Sequence, residues 1–113
     1  MKWYTVSQNN SGGYFIQNED VNQYVSVEAR TKEEAEDKLE EITSSYSEYC
    51  LCCGERWYWY SLEGFGAPQY YEASPLFSEE PSPYREEFVM HYADGRKFTC
   101  KIGEVPKHWE VEQ

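Results

Sequence analysis

Positive charge is what this chain lacks most. Lys and Arg together number 10 against 21 Asp and Glu in 113 residues, a formal net charge of −11. A protein that grips a phosphate backbone neutralises it with Lys and Arg, so the balance argues against direct nucleic-acid binding and in favour of a basic partner. Leu, Ile and Val are also scarce. Aromatics stand in their place, at 18% of residues (Tyr 11, Phe 5, Trp 4), so the core is expected to be built from rings. Those rings exclude ordinary disorder, which joins high net charge to few aromatics.

Long apolar runs are missing too. No stretch approaches the ~20 apolar residues of a membrane span, and Met1-Lys2-Trp3-Tyr4-Thr5 has no signal-peptide h-region. The expectation is no membrane contact and a protein that stays where it is made. Catalytic signatures are wanting as well: there is no G-x-x-x-x-G-K-[ST], G-x-G-x-x-G or H-E-x-x-H, and Gly64-Phe65-Gly66 is too short for a phosphate loop. The cysteines and two histidines show no spacing of a nucleophile and its base, and no pair of the acids sits in a glycosidase context. The chain reads as non-enzymatic. At this length it can bury one modest core, which makes residues 1–113 a single domain.

What is present organises as follows. Residues 2–7 and 14–17 are rich in β-branched and aromatic types and flank Asn9-Asn10-Ser11-Gly12-Gly13, which predicts a β-hairpin. Beyond the Asn18-Glu19-Asp20 turn, residues 24–29 alternate as a half-buried strand, with Val25, Val27 and Ala29 on one face and Tyr24, Ser26 and Glu28 on the other. Thr31-Lys32-Glu33-Glu34 is a capping box and starts a helix. Its stripe is Ala35, Leu39, Ile42, Tyr46 and Tyr49, and its remaining faces carry Glu33, Glu36, Asp37, Glu40 and Glu41. The like-charged i,i+4 pairs 33/37, 37/41 and 36/40 cost roughly 0.2–0.5 kcal/mol each. A solvated face is the simpler reading of these acids; a docking surface for a cationic partner is the sharper one.

Residues 56–62 predict a strand with rings on both faces. Residues 63–85, rich in Pro, Gly and aromatics, predict a long loop with part of its apolar content open to a partner. Tyr58, Tyr60, Tyr70 and Tyr71 are the candidate anchors of such a surface. Residues 86–102 predict a hairpin around Ala93-Asp94-Gly95. A three-residue loop there sets Phe88, Met90 and Tyr92 opposite Cys100, Phe98 and Arg96, with Cys100 inward and His91 on the other face near Lys97 and Thr99. Trp109 is expected to cap the core edge. The whole predicts an α+β domain in the order β-β-β-α-β-loop-β-β, an antiparallel sheet with one helix on one face.

Cys50-x-x-Cys53-Gly54 has the form of a zinc knuckle. Zinc would need further ligands from Cys52, Cys100, His91 or His108, and the hairpin register turns Cys100 and His91 to opposite faces. Reduced structural thiols are the competing reading, with a disulfide from Cys50 or Cys52 to Cys100 as a third.

The start Met1-Lys2-Trp3-Tyr4-Thr5-Val6-x-Gln8-Asn9-Asn10-Ser11-Gly12-Gly13, with Cys50-x-Cys52-Cys53-Gly54-x-Arg56-Trp57, resembles a family of small uncharacterised bacteriophage proteins. The likeness covers residues 1–57 closely and the remainder loosely. It implies a viral gene product in the host bacterial cytoplasm, and brings no activity or catalytic residues. The resulting expectation is a protein that binds and inhibits a bacterial host or defence protein with a basic surface. Glu33, Glu36, Asp37, Glu40 and Glu41 would steer, Tyr58, Tyr60, Tyr70 and Tyr71 would anchor, and the acids would mimic nucleic acid if the target normally binds it. A second copy of the chain is a further candidate partner. The rival function is sequestration of a nucleotide signal between the rings of residues 57–83, to counter antiviral defence.

Overall fold

The computed structural model describes residues 1–8, 16–44, 49–50, 54–55, 57–58, 62–69, 75–78, 87–106 and 108–109; for Tyr49, Cys50, Gly54, Glu55, Tyr58 and Ser78 it describes the backbone alone. The elements are β1 (Lys2–Gln8), β2 (Tyr24–Ala29), α1 (Lys32–Thr43), β3 (Tyr49–Cys50), β4 (Gly54–Glu55), β5 (Trp57–Tyr58), β6 (Gly64–Phe65), β7 (Glu87–His91) and β8 (Lys97–Lys101), with a 3-10 turn at Leu76–Ser78. The fold is α+β, as the alternating runs and the single capped helix predict.

The main sheet runs β5-β1-β2-β7-β8, and β6 pairs β1 beside β5. It is mixed, which corrects the expectation of an all-antiparallel sheet: β2 and β7 are parallel, with Tyr24 against Phe88 and Val27 against His91. Parallel neighbours need a crossover of a dozen or more residues, and α1 with the segments after it supplies one. A second correction concerns the partner of β1. Ile16 and Gln17 form no strand, and β1 pairs β2 antiparallel on one side and the short β5 and β6 on the other. The Gln8 side chain shows why the chain turns away there. Its amide donates to the carbonyls of Ile16 (3.0 Å) and Asn22 (2.9 Å), and its oxygen accepts from Ile16 N–H (2.5 Å), which ties residues 16–22 across the end of β1. Of the predicted strand over 56–62, Trp57 and Tyr58 form β5 and Leu62 is buried, while residues 56 and 59–61 lie outside the described residues.

The terminal hairpin has the expected register: Phe88 faces Cys100, Met90 faces Phe98 and His91 faces Lys97. Tyr92 N–H donates to Arg96 O at 2.8 Å and Gly95 N–H to Tyr92 O at 3.1 Å, closing the three-residue loop. Gly95 sits at φ +96°, where a side chain is strained. Gly64 is needed for a different reason: a Cβ there would lie 2.8 Å from the Tyr4 ring and 2.9 Å from Lys2 Cβ, where β6 crosses β1.

Both faces of the sheet are covered, so the strand over 24–29 is buried on both sides and not half-buried. On one face α1 packs over Tyr4, Val6, Val25, Val27, Ala29, Trp57 and Leu62 through Ala35, Leu39 and Ile42. On the other, the 3-10 turn and the C-terminal segment pack Leu76, Phe77, Ile102 and Trp109 over Trp3, Tyr24, Phe88, Met90, Tyr92 and Cys100. Each fully buried large apolar side chain contributes about 1.5–3 kcal/mol. Within the predicted long loop over 63–85, Pro68, Leu76 and Phe77 pack into the core and Leu76 N–H donates to Pro68 O at 2.9 Å, while residues 70–74 and 79–85 lie outside the described residues. Trp109 caps this second core as expected, 6.0 Å from the Trp3 ring and 5.2 Å from Phe77.

Candidate functional site

The most distinctive surface is the outward side of α1. Thr31 caps it in an extended conformation (φ −134°, ψ 162°), its Oγ1 accepting Glu34 N–H at 3.1 Å, and Glu33 and Glu34 lie near the positive end of the helix dipole. Ala35, Leu39 and Thr43 face the sheet, and Thr43 Oγ1 donates back to Leu39 O at 2.8 Å. Ile42 packs on the core as predicted, Tyr49 belongs to β3 and so leaves the predicted stripe, and Tyr46 lies outside the described residues.

Glu33, Glu36, Asp37, Glu40 and Glu41 are all exposed, on a helix about 18 Å long. Lys38, a cation in the middle of α1, is turned away from them. Its Nζ donates to Glu28 O of β2 at 3.2 Å and sits 4.0 Å from Glu34, so it neutralises the sheet side of the helix and not the outward side. The last turn carries Glu40 and Glu41 and no base, where the dipole favours cations. This arrangement costs stability twice, through like-charge pairs and through the helix end.

The tyrosines expected as anchors are not brought into view. Tyr58 is described by its backbone in β5 alone, and Tyr60, Tyr70 and Tyr71 lie outside the described residues. The rings that are described, Phe65 aside, serve the two cores: Trp57 is 4% exposed, and among the described residues the exposed large apolar side chains are Met1 and Val105.

The zinc knuckle is divided in the same way. Cys50 pairs its backbone with Gly54 in the β3–β4 ladder, while Cys52, Cys53 and the Cys50 side chain lie outside the described residues. Cys100 lies in β8. Its thiol is free and buried, with Met90 Sδ at 3.6 Å, and burial pushes its pKa up to about 12. His91 lies on the α1 side of the sheet and His108 on the other, stacked on Phe98 at 3.8 Å. No three His, Cys, Asp or Glu side chains converge among the described residues. The disulfide weighed for Cys100 is overturned by that free thiol.

One cluster was not singled out from sequence. Asn18 Oδ1 accepts from the N–H groups of Asp20 (2.8 Å) and Val21 (3.0 Å), and this turn holds Asp20 against the hairpin. His91 Nε2 lies 2.7 Å from Asp20 O, and Lys97 Nζ lies 2.5 Å from Asp20 Oδ1 and 3.8 Å from Glu19 Oε1. Burial lowers the His91 pKa, against the raising effect of Asp20. The signal in the sequence was the Asn18-Glu19-Asp20 turn, but its contact with a hairpin some seventy residues later has no local signature.

Residues 1–108 match the family described as Domain of unknown function (DUF7296). The chain belongs to this family. Neither a curated protein nor a solved structure matches it. The DUF7296 match spans both cores and the acidic helix, so the domain and the family coincide over nearly the whole chain.

Proposed function

We propose that this DUF7296 protein is a non-enzymatic interaction protein that binds and inhibits a bacterial protein through the acidic face of α1. The observation that carries the reading is the uncompensated row of Glu33, Glu36, Asp37, Glu40 and Glu41. All five are exposed, two of them lie at the helix end where they oppose the dipole, and Lys38 is turned to the sheet. A local rule broken at a stability cost is characteristic of a functional surface. The partner presents Lys and Arg, and carboxylates one turn apart on two parallel rows are suited to stand where phosphates stand on a nucleic-acid ligand. The resemblance of residues 1–13 and 50–57 to bacteriophage proteins favours a host or defence protein as target and the bacterial cytoplasm as the place of action.

The test is affinity capture from bacterial lysate at low salt. The natural chain is compared with a variant carrying Glu33→Gln, Glu36→Gln, Asp37→Asn, Glu40→Gln and Glu41→Gln. The expected outcome is one dominant protein retained by the natural chain, eluted by salt and absent with the variant. Equal retention by both would overturn the reading. A thermal-shift panel of cyclic nucleotides is the complementary arm: stabilisation by one of them would replace partner inhibition with ligand sequestration.

A further inference from the structure

We propose that Asp94–Gly95 is a site of spontaneous isomerisation to isoaspartate, and that Arg96 keeps it closed in the folded chain. Of the three aspartates, at 20, 37 and 94, Asp94 alone precedes a glycine. Glycine has no side chain to shield its amide nitrogen, so that nitrogen can reach the carboxyl carbon of the residue before it. The tip of the β7–β8 hairpin is also open to water, with 57% of the Asp94 side chain and 46% of the Arg96 side chain exposed.

Water alone balances the reaction. Gly95 N bonds to Asp94 Cγ, the amide proton and the hydroxyl of the protonated carboxyl leave together as water, and a cyclic imide remains. A water then opens it. Cleavage of the new Cγ–N bond restores aspartate, whereas cleavage of the original C–N bond leaves the main chain running through Cβ and Cγ and frees the former main-chain carbonyl as a carboxylate. The fold ties both reacting groups elsewhere. Gly95 N–H donates to Tyr92 O at 3.1 Å, and the carboxylate accepts from Arg96 N–H at 3.1 Å (Oδ1) and from Arg96 Nε at 2.8 Å (Oδ2) and 3.1 Å (Oδ1). The guanidinium lies over the Tyr92 ring, 4.4 Å from its centre, which fixes its position. The Arg96 N–H, and with it the guanidinium, holds the Asp94 carboxyl below the usual carboxylate range, so the protonated form that can release water is scarce. Conversion would add one carbon to the main chain inside a three-residue loop and disturb the Tyr92 N–H to Arg96 O bond that closes it. His91 and Lys97 flank that closing pair and contact Asp20, so the change reaches the Asn18–Asp20 turn as well.

The test holds the full chain at neutral pH and physiological temperature, digests samples at successive times, and assays the peptide carrying residue 94. Isoaspartate there is read by enzymatic carboxyl methylation and by chromatographic separation of the two isomers, which have equal mass. The natural chain unfolded in guanidinium chloride sets the unguarded rate, and the folded natural chain is expected to convert about tenfold more slowly. Arg96→Gln removes the ionic grip and should convert about two- to fivefold faster than the natural chain, the range of one exposed ion pair, with circular dichroism and urea midpoint close to natural. Arg96→Lys keeps the charge without the Nε contacts and should fall between the two; it decides the matter even if Arg96→Gln does not fold. Asp94→Glu should give no signal at this position, because its ring would be one atom larger. The proposal is overturned if the unfolded chain forms no isoaspartate at 94, if the folded natural chain converts as fast as the unfolded one, or if neither Arg96 variant converts faster than the natural chain.

Discussion

On the side of the sheet covered by α1 the buried residues are mostly small and aliphatic, with Val6, Val21, Val25, Val27, Ala29, Ala35 and Leu39 around Tyr4 and Trp57. On the other side they are mostly large: Trp3, Tyr24, Phe77, Phe88, Met90 and Tyr92, with Phe98 and Trp109 at the rim. The covers differ correspondingly. A helix is a regular cylinder that lies close to a sheet and lets valines meet its stripe. The second cover is a 3-10 turn and the C-terminal segment, in which His108 and Trp109 are helical, and rings fill the space between it and the sheet. They meet largely edge to face, as Trp3 and Tyr92 do at 4.9 Å and 89°. The aromatic surplus thus has a structural cause where it is described, while of the acids on α1 those of the first turn gain from the helix dipole and Glu40 and Glu41 oppose it.

The comparison can be broken by substitution. Phe88→Ala, on the ring side, is expected to cost about 3–5 kcal/mol, and Leu39→Ala, on the helix side, about 2–5 kcal/mol, both read by urea unfolding. The sharper distinction is in structure. Loss of Leu39 should leave the near-ultraviolet signal of the Trp3, Tyr92 and Trp109 cluster largely intact while the chain stays folded, and loss of Phe88 should diminish it. A uniform response would mean the two cores are not separable.

Next in size is an effect of pH. Cys100 titrates at about 12 in the folded chain against 9.0 for an unhindered thiol. The folded pKa is raised, so the contribution is fully present below pH 9 and is lost as pH rises toward 12. Cys100→Ala should flatten that alkaline decline. His91 acts at the other end with the opposite shift. Its folded pKa lies below the ordinary imidazole value of 6.5, so folding favours the neutral ring, and stability should fall as pH drops below 6.5. His91→Gln should reduce that acid slope.

Much of this was legible in the residues. The capping box placed the start of α1, period-2 alternation assigned the faces of β2, and the apolar match across Ala93-Asp94-Gly95 chose the hairpin register over the two-residue alternative. The position of β7 beside β2 was not legible, because parallel neighbours share no turn and their partnership is fixed by tertiary packing. The second core was missed for a related reason. Leu76 and Phe77 stand in a Pro-rich stretch without period, and only the exposed underside of a sheet makes them core residues. In the candidate site, the exposure of the five carboxylates could be read from helical spacing; the inward turn of Lys38 and the Glu19–Asp20–Lys97 contact could not.

The smallest expected effect bears most on function. Asp37 belongs to two like-charged pairs, 33/37 and 37/41, so Asp37→Asn should stabilise the chain by roughly 0.4–1 kcal/mol in thermal unfolding. The same substitution should weaken partner capture. Gain of stability with loss of binding is the pattern of a surface kept acidic for recognition; a destabilised variant would mean the carboxylate has a structural role.

The most direct measurement is the association rate between the natural chain and the protein it captures, followed as ionic strength rises from about 0.05 M to about 0.5 M. A docking surface made of the five α1 carboxylates predicts a fall of about tenfold or more, and a nearly flat, slower rate for the five-fold neutralised variant. A natural chain whose association ignores salt, or a neutralised variant that associates as fast, would contradict the account.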